Sequence, residues 1–139
     1  MATYFVRDIM SSPALTIHYE ADLDEAATTL ESQGIRRLPV LDDDGQLVGI
    51  LTHGDVRVAS MATVVDPYDP GATTWLTVGD AMTRDVFTVT ADTPVVEVVE
   101  MLLVHKIGGL PVVDSDGTVI GMVTETDIFR LLVREWKVA

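Results

Sequence analysis

The sequence predicts an α/β (α+β) fold made of two copies of one β-α-β-β-α unit. Three observations predict it. The chain repeats itself without gaps at a spacing of 72 residues: residues 6–56 laid onto 78–128 give 16 identities in 51 positions, among them Met10/Met82, Ile35/Ile107, Pro39/Pro111 and Asp55/Asp127. An apolar stripe at helical spacing follows the start of each copy, and two apolar runs around an aspartate-rich turn follow that stripe. An internal repeat of this length is a supersecondary unit written twice, in which neither copy is expected to bury its apolar face alone.

Each element has a local reason. "ALTI" and "VFTV" read as short extended segments rich in β-branched and aromatic residues. In "DLDEAATTLESQG", Asp22 is placed to cap a helix, with Glu25 three residues on. Leu23, Ala26, Ala27 and Leu30 give that helix its apolar face, and Gly34 ends it. In the second copy Thr93 is expected to cap and Pro94 to take the first helical position, where a missing N–H costs nothing. The stripe Val95, Val98, Val99 and Leu102 follows. "LPVLDDDGQLVGIL" and "LPVVDSDGTVIGMV" are hairpin signals, with Gly45 and Gly117 free to take positive φ. "DVRVASMA" and "DIFRLLVREW" close the copies as helices. Between the copies, Pro67, Pro70 and Gly71 mark a connection. The expected organisation is residues 1–60 for the first copy, 61–76 for the linker and 77–139 for the second.

Composition narrows the function. The 139 residues contain no cysteine, so disulfides, thiolate metal sites and cysteine nucleophiles are excluded. Nine Lys and Arg against 22 Asp and Glu give a formal net charge of −13, which argues against nucleic acid and anionic membranes as partners. A small anionic ligand held by a few local donors is still compatible with that charge. No stretch approaches the roughly 20 apolar residues of a membrane span, and "MATYFVRDIM" is too short and too charged for a signal peptide, so a cytoplasmic location is the expectation. The mean hydropathy of +0.30 is high for a chain with this many charges and points to apolar surface covered by another copy. His18, His53 and His105 show no metal-ligand spacing, and "DDDG" lacks the alternating ligands and closing glutamate of a calcium loop. No metal, no cofactor and no catalytic residue is expected, because no nucleophile–base pair or phosphate-cradling glycine loop appears. Trp75 and Trp136 flank the second copy as core or helix-end anchors, and Met10 and Met82 begin equivalent segments as packing residues.

The most informative stretches are "GILTHGDV" and "GMVTETDI", each with a threonine three positions ahead of an aspartate. One reading is a capping box, in which Thr52 and Thr124 cap a helix and Asp55 and Asp127 answer from its first turn. The other uses the same geometry for a ligand. A helix start exposes N–H groups and a positive dipole end, a threonine hydroxyl donates to phosphate, and an aspartate accepts both hydroxyls of a ribose. The two are not exclusive, since a ligand can replace a cap.

The helical stripe, "GI-x-x-LPV" (with Arg36-Arg37 in place of the second copy's Gly108-Gly109), the Asp-Gly turn and "G-h-h-T-x-x-D", all duplicated in one order, resemble the cystathionine-β-synthase (CBS) domain family. The resemblance is to a tandem CBS pair, or Bateman module, over about residues 5–134. It implies two units packed about a pseudo-twofold axis with two clefts that often take adenine nucleotides. It also implies a homodimer and a protein partner that reads the bound state. By resemblance, Asp55 and Asp127 hold ribose and Thr52 and Thr124 face phosphate. Residues 10–15, including Met10, Pro13 and Leu15, with Ile35 and Arg36, would complete the pocket of Asp127. Residues 82–87, including Met82, Asp85 and Phe87, with Ile107 and Gly108, would complete that of Asp55.

In phosphate-binding members basic residues at the Arg36-Arg37 positions reach phosphate, a task suited to the arginine fork. His53 follows Thr52 and adds a possible phosphate donor, whereas its counterpart Glu125 repels one. Two unequal sites follow. The function implied is a regulatory module sensing AMP, ADP or ATP, not an enzyme. The alternatives are a structural or dimerisation module that binds no nucleotide, and a binder of another adenosyl ligand such as S-adenosylmethionine.

Overall fold

The structure is a computed structural model that describes residues 3–61 and 76–138. The predicted connection with Pro67, Pro70, Gly71 and Trp75 therefore lies outside the described residues. The elements run α1 (Val6–Ile9), β1 (Ile17–His18), α2 (Leu23–Gln33), β2 (Arg37–Leu41), β3 (Leu47–Thr52), α3 (His53–Met61), α4 (Val78–Ala81), α5 (Val95–His105), β4 (Gly109–Val113), β5 (Val119–Thr124) and α6 (Glu125–Val138). They form two compact units, Thr16–Val86 and a second that joins Met1–Leu15 to Phe87–Ala139.

In the unit Thr16–Val86, a three-stranded sheet has the order β1-β2-β3. β1 is parallel to β2, with Ile17 opposite Val40, and β2 is antiparallel to β3, with Leu38 opposite Leu51 and Arg37 opposite Thr52. The "DDDG" turn closes this hairpin. Asp42 accepts from the N–H groups of Asp44 and Gln46 at 2.9 and 2.8 Å, and Gly45 has φ 76°, so the aspartate serves the backbone. Gly34 ends α2 with φ 62°. Asp22 occupies the N-cap of α2 but makes no cap hydrogen bond; the first helical N–H, of Leu23, instead donates to the carbonyl of Leu76 at 2.9 Å. Leu23, Ala26, Leu30, Leu38, Val40, Leu51 and Val78 make the core.

The second unit holds the hairpin β4-β5, with Leu110 opposite Val123 and Gly109 opposite Thr124. Its core is Val6, Val89, Val95, Val98, Leu102, Leu110, Val112, Val123, Ile128 and Leu131. Pro94 is the N-cap of α5, not its first helical residue, and Thr93 turns back to accept from the Thr90 N–H at 3.1 Å. The helix starts one residue later than predicted because that threonine closes the preceding turn. α5 ends on Lys106 at φ 54°, where the first copy has a glycine. "VFTV" contributes only a bridge from Val89 to Val112, so the first predicted strand of the second copy shrinks to one residue pair. Trp136 is 69% exposed in the last turn of α6, which overturns the core alternative for it but not the helix-end one.

The short helices α1 and α4 were not predicted. Four residues carry too little periodicity to be read, and their support is remote in sequence. α1 donates from Val6 and Arg7 to the carbonyls of Thr93 and Ala91, and α4 donates from Val78 and Gly79 to those of Ala21 and Tyr19. Each repeat thus lends its first helix to the unit built on the other repeat's hairpin.

Candidate functional site

Each hairpin runs straight into a helix at its Thr-x-x-Asp stretch. β3 ends at Thr52 and α3 begins at His53; β5 ends at Thr124 and α6 begins at Glu125. The reciprocal capping box forms at Thr52, whereas at Thr124 only the aspartate half of it is present. Asp55 accepts from the Thr52 N–H at 3.0 Å, while Thr52 Oγ1 accepts from the Asp55 N–H at 3.0 Å. Asp127 accepts on Oδ2 from the Thr124 N–H at 2.8 Å and from the Thr124 hydroxyl at 3.2 Å. Asp127 is only 6% exposed and Asp55 is half-buried. Both carboxylates therefore sit at the positive end of a helix of eight or more residues, where negative charge is favoured.

The exchange of first helices brings a second segment to each of these strands. Ser11 and Met122 exchange N–H···O bonds of 2.9 Å, and the Ser12 hydroxyl donates to the Ile120 carbonyl at 2.8 Å. Thr83 and Ile50 pair in the same way at 2.9 Å. The closeness of these strands explains the glycine that opens each motif. A Cβ on Gly121 would lie 2.6 Å from the Ser11 carbonyl oxygen, and one on Gly49 would lie 2.5 Å from Met82 Sδ and 2.9 Å from the Thr83 carbonyl oxygen. Met10, Pro13 and Leu15 thus share the unit of Asp127, and Met82 and Asp85 share that of Asp55.

The other predicted residues are placed as follows. Ile35, Arg36, Arg37 and His53 lie in the unit of Asp55, and Phe87, Ile107 and Gly108 in that of Asp127. The Arg36 carbonyl accepts the His53 N–H at 2.8 Å, which fixes Arg36 next to the first residue of α3. Gly108 holds the same relation to Glu125 at 3.0 Å. The start of α3 therefore has Arg36 and His53 as backbone neighbours, and that of α6 has Gly108 and Glu125. The Phe87 ring stacks on His105, with centroids 3.8 Å apart and planes 16° from parallel.

Comparison with known proteins identifies the family and the fold. The CBS domain family profile matches residues 6–62 and 78–134. The chain belongs to the CBS domain family. A CBS domain-containing protein of Dictyostelium discoideum is 36% identical over 132 residues, covering 93% of this chain and 91% of that protein. L-aspartate semialdehyde sulfurtransferase of Methanocaldococcus jannaschii is 38% identical over 126 residues, but the match spans only 23% of its length. Among solved structures, the CBS domain pair of protein MJ0100 in complex with 5′-methylthioadenosine and S-adenosyl-L-methionine is 35% identical with a TM-score of 0.83, covering 96% of this chain and 99% of that one. CBSX2 in complex with AMP is 27% identical with a TM-score of 0.76, covering 94% and 97%. The chain is thus a tandem CBS pair with a mixed α/β fold.

Two features escaped the sequence reading. The Thr83 hydroxyl donates to Asp55, 3.3 Å from each carboxylate oxygen. The residues are 28 apart, and only the observed strand pairing reveals the contact. His18, Glu20 and Asp43 bring potential metal-ligand atoms within 4.8 Å of one another. There the Glu20 N–H donates to His18 Nδ1 at 3.0 Å and His18 Nε2 meets Asp43 at 2.7 Å. A backbone donor on Nδ1 leaves the proton of the neutral ring on Nε2, where it donates to Asp43. A metal-ligating histidine normally does the reverse, donating from the nitrogen that does not bind the ion. The cluster is a surface hydrogen-bond network joining β1 to the turn after β2. Among the described residues, no helix is long and apolar enough to cross a membrane.

Proposed function

We propose that this CBS pair is a regulatory module that binds adenosyl ligands, with AMP, ADP and ATP as the leading class. Asp55 and Asp127 take the ribose hydroxyls. Thr52, Thr124, His53 and the arginines Arg36 and Arg37 take phosphate. Met10, Pro13, Leu15, Ile35, Met82, Asp85, Phe87, Ile107 and Gly108 shape the adenine pockets. The observation that carries the reading is the duplicated strand–turn–helix with an aspartate in the first helical turn. It occurs in a chain that matches 99% of a CBS pair crystallised with two adenosyl compounds at 35% identity.

The chemistry is compatible with a resident cap. The bonds to the Thr124 N–H and hydroxyl both fall on Asp127 Oδ2, and a ribose hydroxyl can add to Oδ1. Thr52 Oγ1 accepts from the Asp55 N–H, so its own proton is available to a phosphate oxygen. The basic flank of α3 favours a phosphorylated ligand there, while Glu125 at the start of α6 favours a ligand with a neutral or cationic tail. That second preference supports S-adenosylmethionine or 5′-methylthioadenosine as an alternative class, consistent with the ligands of the MJ0100 pair. The bound state would reach a protein partner through a homodimer in the cytoplasm, and no reaction is catalysed.

Calorimetric titration with AMP, ATP and S-adenosylmethionine tests the reading, repeated on Asp55→Ala and Asp127→Ala. Each substitution is expected to remove or weaken one binding event by at least roughly tenfold, the loss of a hydrogen bond to a charged group. Unchanged affinity in both variants would take these residues out of the site. A protein that binds none of the three would instead be a structural or dimerisation module.

A further inference from the structure

We infer that Thr83 is a latch on Asp55 that makes the two ribose carboxylates unequal, so that a ribose must displace a donor at Asp55 and not at Asp127. This rests on the nucleoside-binding reading given above. Thr83 is held in place by two backbone hydrogen bonds of 2.9 Å to Ile50. Its hydroxyl is 3.3 Å from both oxygens of Asp55, one of which also accepts the Thr52 N–H. A ribose hydroxyl arriving at Asp55 must compete with that donor. Ser11 is the equivalent residue in the other unit and is held the same way, by two 2.9 Å bonds to Met122. Among the described residues, no hydrogen bond joins Ser11 to Asp127.

The difference between the two positions is one methyl group. Threonine is β-branched and its χ1 is restricted, whereas serine rotates freely among its rotamers. Repeat symmetry puts a hydroxyl residue at this point of both segments, and side-chain stiffness decides which one engages its carboxylate. Asp127 therefore presents Oδ1 to a ligand without displacing a neighbour, and Asp55 does not.

The test uses the full chain and AMP as the probe, read by calorimetry. Asp127→Ala isolates the Asp55 position, and adding Thr83→Val removes the hydroxyl while keeping the β-branched shape. The double variant is expected to bind AMP about tenfold more tightly than Asp127→Ala alone (about 1.4 kcal/mol). The contact is long and shared between two oxygens, so a larger gain is not expected. The reciprocal Ser11→Thr in Asp55→Ala is expected to weaken AMP binding at Asp127. Equal or weaker binding after Thr83→Val, while wild type still binds AMP, would overturn the latch and leave the function standing. A wild type that binds neither AMP nor S-adenosylmethionine would overturn the function and the latch together.

Discussion

Replacing Gly121 with alanine should open the pairing that joins the N-terminal segment to β5. The new Cβ would stand 2.6 Å from the Ser11 carbonyl oxygen and 3.4 Å from Met10 Sδ. Ordinary contact begins near 3.4 Å, so the Ser11 backbone must retreat by about 0.8 Å. Its two hydrogen bonds to Met122 are 2.9 Å long, and that retreat carries them past the range of a useful bond. Each contributes about 1 kcal/mol net. Alanine recovers about 0.4–1 kcal/mol by restricting the unfolded chain. A net loss of about 1–2 kcal/mol is expected, together with weaker ligand binding at Asp127, because Met10 and Ser11 move with the displaced segment. Urea unfolding followed by circular dichroism gives the stability, and hydrogen exchange at the Ser11 and Met122 amides locates the damage. A Gly121→Ala protein with wild-type midpoint and protected amides would refute the reasoning, since the close approach would then cost nothing.

Three further outcomes follow from the same geometry. Leu30 is 2% exposed in the core of Thr16–Val86, so Leu30→Ala should cost about 3 kcal/mol in denaturant unfolding; a loss below about 1 kcal/mol would mean the site collapses around the cavity. Asp127→Ala should lower ligand-free stability by about 1 kcal/mol through loss of its bonds to Thr124, and an unchanged melting temperature would contradict those bonds. The N–H and hydroxyl of Thr77 hold the Asp80 carboxyl below its ordinary value of 3.8. A depressed acid stabilises the fold above its unfolded value and loses that contribution as pH falls through the folded one. NMR titration should therefore find Asp80 ionised below pH 3.8, and Thr77→Ala, which removes the hydroxyl but keeps the stronger N–H donor, should bring it only part of the way back.

Much of the fold was legible because its causes are local. The hairpins were written in Asp-Gly turns whose glycines do take φ 76° and 81°, and α2 ends where Gly34 was expected to end it. The repeat, read at one fixed spacing, exposed the duplicated Thr-x-x-Asp and with it the family. The misreadings share a different cause. Asp22 is expected to cap its helix by side chain and makes no such bond, while the Leu23 N–H beside it donates to the carbonyl of Leu76, 53 positions on from Leu23. α1 and α4 are too short to form on their own periodicity and depend on carbonyls from the other repeat.

The sequence by itself determined that one unit is written twice, which residues face its cores, and that a threonine and an aspartate stand at both strand-to-helix turns. Those features depend on spacing along the chain, and spacing is visible in a string of letters. Only the tertiary structure decided that each repeat gives its first helix to the other's hairpin, that Gly49 and Gly121 face a crossing backbone, and that Thr83 reaches Asp55 while Ser11 makes no such bond to Asp127. The physical reason is that these contacts join residues far apart in sequence, where the position of a backbone sets which donor meets which acceptor.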